Sequence, residues 1–334
     1  MPPVKINLTT AFPPQPPQPQ PILPPLTPQL PVNVSPKDKH QPKTETTNSY
    51  AAAIQELEGL VGLEDVKKIV QENYAFALIK KRREEYKLDT PAMSMHMVFK
   101  GNPGTGKTTV ARIMARLFHG LGLVSKGQLV EVERADLVGE YIGHTAQRTK
   151  DALKRAQGGI LFIDEAYSLA RGGEKDFGRE AIDTLVKGME DLYDQVIVIL
   201  AGYRREMEYF LRTNPGLSSR FPIQLDFPDY TVEELTAIGR QMLKDRNYLL
   251  NPEGAVVLKR ILTACAGSAG EYTGNARLVR NLIEKALRCQ AVRLMDQTSY
   301  DRQSLMLVTG GDLEQAFAVL SPSAPQRDNL LHLP

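Results

Sequence analysis

The chain has 334 residues, 42% of them hydrophobic, which is enough for two folded domains. No uncharged apolar run approaches the roughly 18 residues that span a bilayer, so membrane insertion is not expected. Lysine and arginine number 41 against 39 aspartate and glutamate, and the resulting net charge of +2 supplies no global field for nucleic acid. Two cysteines, Cys265 and Cys289, are too few for a disulfide framework and read as buried packing residues; the five histidines form no pair at metal-ligand spacing. The opening MPPVKINLTTAFPP has neither the apolar core nor the cleavage site of a secretory signal, so a cytoplasmic location is expected.

In chain order, 14 of the 23 prolines precede residue 45, a composition that builds no packed core, so residues 1–48 are read as a Pro-rich disordered tail. Helical periodicity then runs from near Ala51 to about Leu88, interrupted at GLVGLEDV, where Gly59 and Gly62 punctuate and Glu64 and Asp65 suit a first helical turn. The basic run KKRREEYK at 80–87 carries acidic neighbours and reads as a solvated helix face. From His96 the pattern changes to five short apolar runs, HMVFK, QLVEVE, GILFID, QVIVILAG and PIQLDF, with helical stretches between them. Near-continuous apolar strands alternating with helices predict an α/β domain over 49–228, with a five-stranded parallel sheet covered on both faces. Beyond Asp229, four helical stretches predict an all-helical second domain over 229–320, and 321–334 reads as a disordered C-terminal tail.

GNPGTGKTT at 101–109 matches the phosphate-loop pattern in full, directly after a strand and before a helix. Phosphates need many donors at short range, and Gly101, Gly104 and Gly106 let backbone N–H groups approach them at a helix N-terminus. The expected nucleotide cradle is therefore Asn102, Pro103, Gly104, Thr105, Gly106, Lys107, Thr108 and Thr109. Lys107 is expected to neutralise the β- and γ-phosphates of ATP, and Thr108 to hold Mg²⁺ through its hydroxyl. In GGILFIDEAYS an apolar strand ends in two acids; Asp164 suits the Mg²⁺ shell, and Glu165 suits a general base for the attacking water. Arg220, in NPGLSSRFP, is the candidate for stabilising transferring charge on a neighbouring subunit, and Arg277, in GNARLV, for coupling nucleotide state to the angle between domains.

Phosphate loop, ILFIDE, YIG, SRF and GNAR in this order resemble an AAA+ ATPase, a P-loop core followed by a helical lid, over residues about 51 to 320. The wording KGNPGTGKTTVAR, ERADLVGEYIGHTAQ, GGILFIDEAYSLARGGEKDFGREAIDTL and LAGYRREMEYFL is similar to the branch that holds stage V sporulation protein K and the red-type Rubisco activases. The resemblance implies that Val61 and Gly62 line the adenine, that Arg220 is an arginine finger and that Arg277 is the second sensor. The first-sensor position falls near Tyr203, where many relatives carry Asn or Thr, and is left unassigned. The counterpart of a second finger falls on GLSS.

Tyr141, Ile142 and Gly143 in GEYIGHTAQ have two readings: a hydrophobic staple for the next helix, or, by the resemblance, a pore loop that grips an extended polypeptide. The expected function is a homo-hexameric, ATP-hydrolysing remodeller of a protein partner, with an implied role in spore maturation. A Rubisco-activase-like, metabolite-regulated enzyme-rescue ATPase is the alternative. A nucleic-acid motor would use Arg148, Lys150, Lys154 and Arg155, but these lie on a helix of mixed charge; a scaffold without turnover is disfavoured by Glu165.

Overall fold

The computed structural model describes residues 44–89, 94–141, 143–171, 176–267, 274–295, 297 and 299–320. Ile142, the C-terminal segment from 321 and the proline-rich stretch up to 43 lie outside these residues.

The five apolar runs form β1 (Met97–Gly101), β2 (Leu129–Val132), β3 (Gly159–Ile163), β4 (Val196–Gly202) and β5 (Ile223–Phe227). They pair in parallel in the order β2-β3-β4-β1-β5. Every residue of β1, β3 and β4 is buried, which is why these three read as unbroken apolar runs, whereas the edge strands β2 and β5 keep exposed positions. Because β3, β4 and β1 are adjacent, the segments leaving their C-terminal ends converge, and open α/β sheets bind ligands at that edge.

Alternate strand residues feed two cores. Phe99, Ile160, Phe162 and Ile199 pack beneath α1 (Thr44–Glu58), α2 (Glu64–Glu85) and α3 (Lys107–Leu121). On the other face, Val98, Leu161, Ile163 and Val198 meet side chains of α4 (Arg134–Leu137), α5 (His144–Ala156), α6 (Gly178–Asp191), α7 (Arg204–Thr213) and α8 (Pro215–Ser218). Fully buried phenylalanines such as Phe99, Phe118 and Phe162 each stabilise this sandwich by about 1.5–3 kcal/mol. α3 follows from Val110, Ile113, Met114, Leu117, Phe118 and Leu121 on one face, and it stops at Gly122, whose left-handed φ of 74° lets its N–H reach the His119 carbonyl. α1 begins at Thr44, inside the segment read as tail. The basic run is exposed from Lys81 to Lys87, as expected of a solvated face.

The second domain opens at α9 (Val232–Lys244), fixed by a capping box in which Glu234 N–H donates to Thr231 Oγ1 (3.2 Å) and Thr231 N–H donates to Glu234 Oε2 (2.7 Å). It continues through α10 (Pro252–Gly267), α11 (Asn275–Met295), the short α12 (Arg302–Met306) and α13 (Gly310–Leu320), around a core of Leu258, Leu262, Val279, Leu282, Ile283 and Leu313. Added to the four expected helices are α12 and a two-residue parallel pair, β6 (Leu249–Leu250) with β7 (Leu307–Val308). Strands this short carry no alternation for a sequence to show. Cys265 is buried in this core, while Cys289 is only half-buried against it.

Candidate functional site

The phosphate loop runs from the end of β1 into α3. Gly104 (φ 74°) and Gly106 (φ 97°) take the left-handed conformation, and a Cβ at Gly104 would stand 2.3 Å from the Gly274 carbonyl oxygen. Gly106 caps α3, and among the described residues no side chain caps the helix's first N–H groups, which leaves them and the positive end of the dipole to the cleft. Lys107, the first residue of α3, donates from Nζ to the carbonyls of Gly101 (2.8 Å) and Asn102 (2.7 Å). Burial pushes its pKa down and the nearby Arg277 adds to this, while the carboxylates of Asp164, Asp229 and Glu165 favour the ammonium.

The acidic pair follows β3. Asp164 Oδ1 accepts the Glu165 N–H at 2.9 Å, which leaves Oδ2 and the Thr108 hydroxyl as hard oxygen donors, the kind that suits Mg²⁺. Glu165 sits at φ 46°, ψ 43°, a left-handed conformation that costs a non-glycine residue about 1–3 kcal/mol. This turn ends the strand's alternation and starts a short 3₁₀ segment, Ala166–Ala170. Tyr167 on that segment was not singled out in the sequence. Its ring lies against Gly202 and 5.9 Å from the Tyr203 ring, with the Arg171 guanidinium 4.5 Å over its face. Burial, reinforced by Glu165, pushes the Tyr167 hydroxyl up to about 12.

These elements enclose a cleft of about 430 Å³, a size typical of small-molecule and cofactor sites. One wall is the loop and α3, with Pro103, Gly104, Gly106, Lys107, Thr108 and Thr109; the floor carries Asp164, Glu165 and Tyr203; α11 closes it with Ala276, Arg277 and Arg280. The second domain is tied to the loop at this point. Ala276 N–H donates to Gly104 O (3.1 Å), Asn275 Nδ2 donates to Asp229 Oδ1 (2.8 Å), and Tyr230 N–H donates to Asn275 Oδ1 (3.0 Å).

Other predicted site residues lie elsewhere. Asn102 donates to both carboxylate oxygens of Asp229 (3.0 and 2.9 Å), and the buried Thr105 hydroxyl donates to Asn102 O (2.8 Å), so both brace the loop from behind. Gly62 (φ 63°) packs so tightly on Glu234 that an added Cβ would stand 2.2 Å from its Oε1, and neither Gly62 nor Val61 lines the cleft. Arg220 also lies outside it: the guanidinium donates to the Gly216 carbonyl (2.7 Å) and pairs with Glu190 of α6. Tyr141 is 66% exposed, its ring edge-on to His144 at 5.5 Å, and Gly143 (φ 82°) has open space around it. Sequence reasoning missed Arg112, Glu131 and Arg280 in the cleft, and no local signal separates them from surface charges.

A glycine loop after β1, an acidic pair after β3, two strands away across β4, and a helical lid at the cleft define a P-loop ATPase with a lid. The chain belongs to the ATPase family associated with various cellular activities (AAA): residues 97–229 match the AAA model and residues 231–322 match the AAA lid domain. It is 54% identical over 259 residues to stage V sporulation protein K of Bacillus subtilis, covering 77% of this chain and 80% of that protein. It is 45% identical over 236 residues to the chloroplastic ribulose bisphosphate carboxylase/oxygenase activase of Cyanidioschyzon merolae, covering 70% of this chain and 80% of the relative. The solved FIGL-1 AAA domain superposes with a TM-score of 0.55 at 18% identity, covering 86% of this chain and 92% of that one, a likeness of fold. The expected resemblance is thus borne out, and the chain is an ATP-hydrolysing enzyme of this branch.

Proposed function

We propose that this ATPase works in the cytoplasm as a homo-hexameric ring that remodels a protein partner through Tyr141 and its loop. The observation that carries the reading is the exposure of Tyr141, which is two-thirds accessible on a loop anchored from behind by Gly139 N–H donating to Thr145 Oγ1 at 2.9 Å. A large apolar ring held in solvent on a braced loop suits contact with an extended polypeptide, because it offers area at low conformational-entropy cost. Gly143 leaves the loop room to swing.

In this reading Lys107 holds the β- and γ-phosphates while the glycine loop and the α3 N-terminus donate to the same oxygens. Thr108 and Asp164 hold Mg²⁺, which when bound neutralises charge on the phosphate oxygens. Glu165 takes the proton of the attacking water, Arg277 reads the nucleotide from the lid, and Val61 and Gly62, which lie outside the cleft that takes the phosphates, border the adenine where it extends beyond that cleft. Arg220 acts on the neighbouring subunit's nucleotide; a head-to-tail contact of that kind closes into a ring when the rotation per subunit permits. The likeness to stage V sporulation protein K supports a role in spore maturation. A second reading, metabolite-regulated enzyme rescue, draws its support from the relative named as a carboxylase activase.

Tyr141→Ala tests the pore loop. Its folding stability is expected to stay within about 0.5 kcal/mol of the parent, as for an exposed position. Binding of ATP is expected to persist, whereas partner-stimulated hydrolysis and remodelling are lost. Melting lowered as by a core truncation, about 3 kcal/mol or more, would instead make Tyr141 a packing residue.

A further inference from the structure

The cleft holds an arginine that the reading above does not use. The N-terminal turn of α11 is docked on the phosphate loop through Ala276 and Gly104, which fixes the direction in which the helix leaves the site. Arg277 stands in that first turn, and Arg280, three residues on, shares its face about 4.5 Å further along the axis. Both line the cleft, together with Asp164, Glu165 and Tyr203. Arg112, the third cleft arginine, is committed to Glu131 through Nε at 3.0 Å. Among the described residues neither Arg277 nor Arg280 has such a partner. An exposed helical arginine commonly pairs with a carboxylate four residues away, and Glu284 occupies that place, yet Arg280 forms no ion pair with it. Lys107, Arg277 and Arg280 thus remain as cations facing a nucleotide whose charge grows with each phosphoryl group.

We infer that Arg280 is a second lid arginine that contacts the terminal phosphoryl group of a bound nucleoside triphosphate, so that the lid grips a triphosphate more tightly than a diphosphate. The inference rests on the nucleotide occupying this cleft. A guanidinium suits the task because its planar fork bonds two phosphoryl oxygens at once and stays charged throughout. One turn beyond Arg277, it shares the cleft with Thr108, Asp164 and Glu165, the residues assigned to Mg²⁺ and the attacking water at the terminal phosphoryl group. A diphosphate, held by the loop and Lys107, would leave it in solvent.

The test compares binding of ADP with that of adenylyl imidodiphosphate, both with Mg²⁺, to the full chain and to Arg280→Ala, Arg280→Lys and Lys107→Ala. Arg280→Ala is expected to weaken the triphosphate analogue roughly tenfold or more while ADP stays within about twofold, since a charge-assisted bond is lost only to the former. Arg280→Lys, which keeps the charge but not the fork, is expected to fall between. Equal weakening of both nucleotides, or no weakening of either, with Lys107→Ala losing both, would overturn the role of Arg280 and leave the site intact. Parental binding by Lys107→Ala would overturn the cleft assignment itself.

Discussion

Lys107→Ala is expected to lose ATP affinity by about two to four orders of magnitude, because two charge-assisted bonds to phosphate at roughly 1.5–3 kcal/mol each disappear together. The carboxylates around Lys107 reinforce the effect. Asp164, Asp229 and Glu165 favour its ammonium in the parent, and without that cation they face the phosphates uncompensated. The fold should survive, since alanine is the best helix former and Lys107 is the first residue of α3. The Gly101 carbonyl released by the substitution belongs to a cleft residue, where water can replace Nζ, and the Asn102 carbonyl keeps the Thr105 hydroxyl as a donor. Titration of a fluorescent ATP analogue, alongside thermal melting, measures both quantities. Unchanged affinity would show that the phosphates bind elsewhere.

Glu165→Gln should separate binding from chemistry. The amide keeps the shape and the left-handed turn at φ 46° but cannot accept the water's proton, so turnover is expected to fall about 10²–10⁴-fold while ATP affinity stays within a few-fold. The contact with Tyr167 is preserved in size, which keeps the stack of Arg171, Tyr167 and Tyr203 in place. Single-turnover hydrolysis measured beside equilibrium binding reports the two effects independently. Turnover within twofold of the parent would remove Glu165 from the chemistry. A variant that binds ATP without turning it over is expected to stay in the ATP-bound state, so a pulldown with Glu165→Gln in ATP is also the direct route to the partner.

Much of this architecture was legible because its causes are local. β1, β3 and β4 are buried on both faces and so read as unbroken apolar runs, and the glycines of the loop are dictated by backbone conformation at Gly104 and Gly106. Capping chemistry at Thr231 and Glu234 likewise lies within one turn. What was hidden depends on proximity across the chain. Arg280 looks like any exposed helical arginine until α11 is set on Gly104, and Arg220 and Glu190 meet although they stand 30 residues apart in sequence. Tyr167 matters through its contact with Gly202, the last residue of β4. The β6 and β7 pair is too short for a period to emerge.

We propose that each nucleotide site is completed by the next subunit in a ring, since Arg220 does not line its own chain's cleft. The decisive measurement is ATPase activity on mixing Lys107→Ala with Arg220→Ala, each inactive alone, with co-assembly checked by pulldown through a tag on one variant. If Arg220 acts in trans, an Arg220→Ala subunit with an intact loop is rescued by a Lys107→Ala neighbour, and an equal mixture in random rings recovers about a quarter of parental activity. Co-assembled rings with no activity above that of the separate variants would contradict a shared site and return Arg220 to a role within its own subunit.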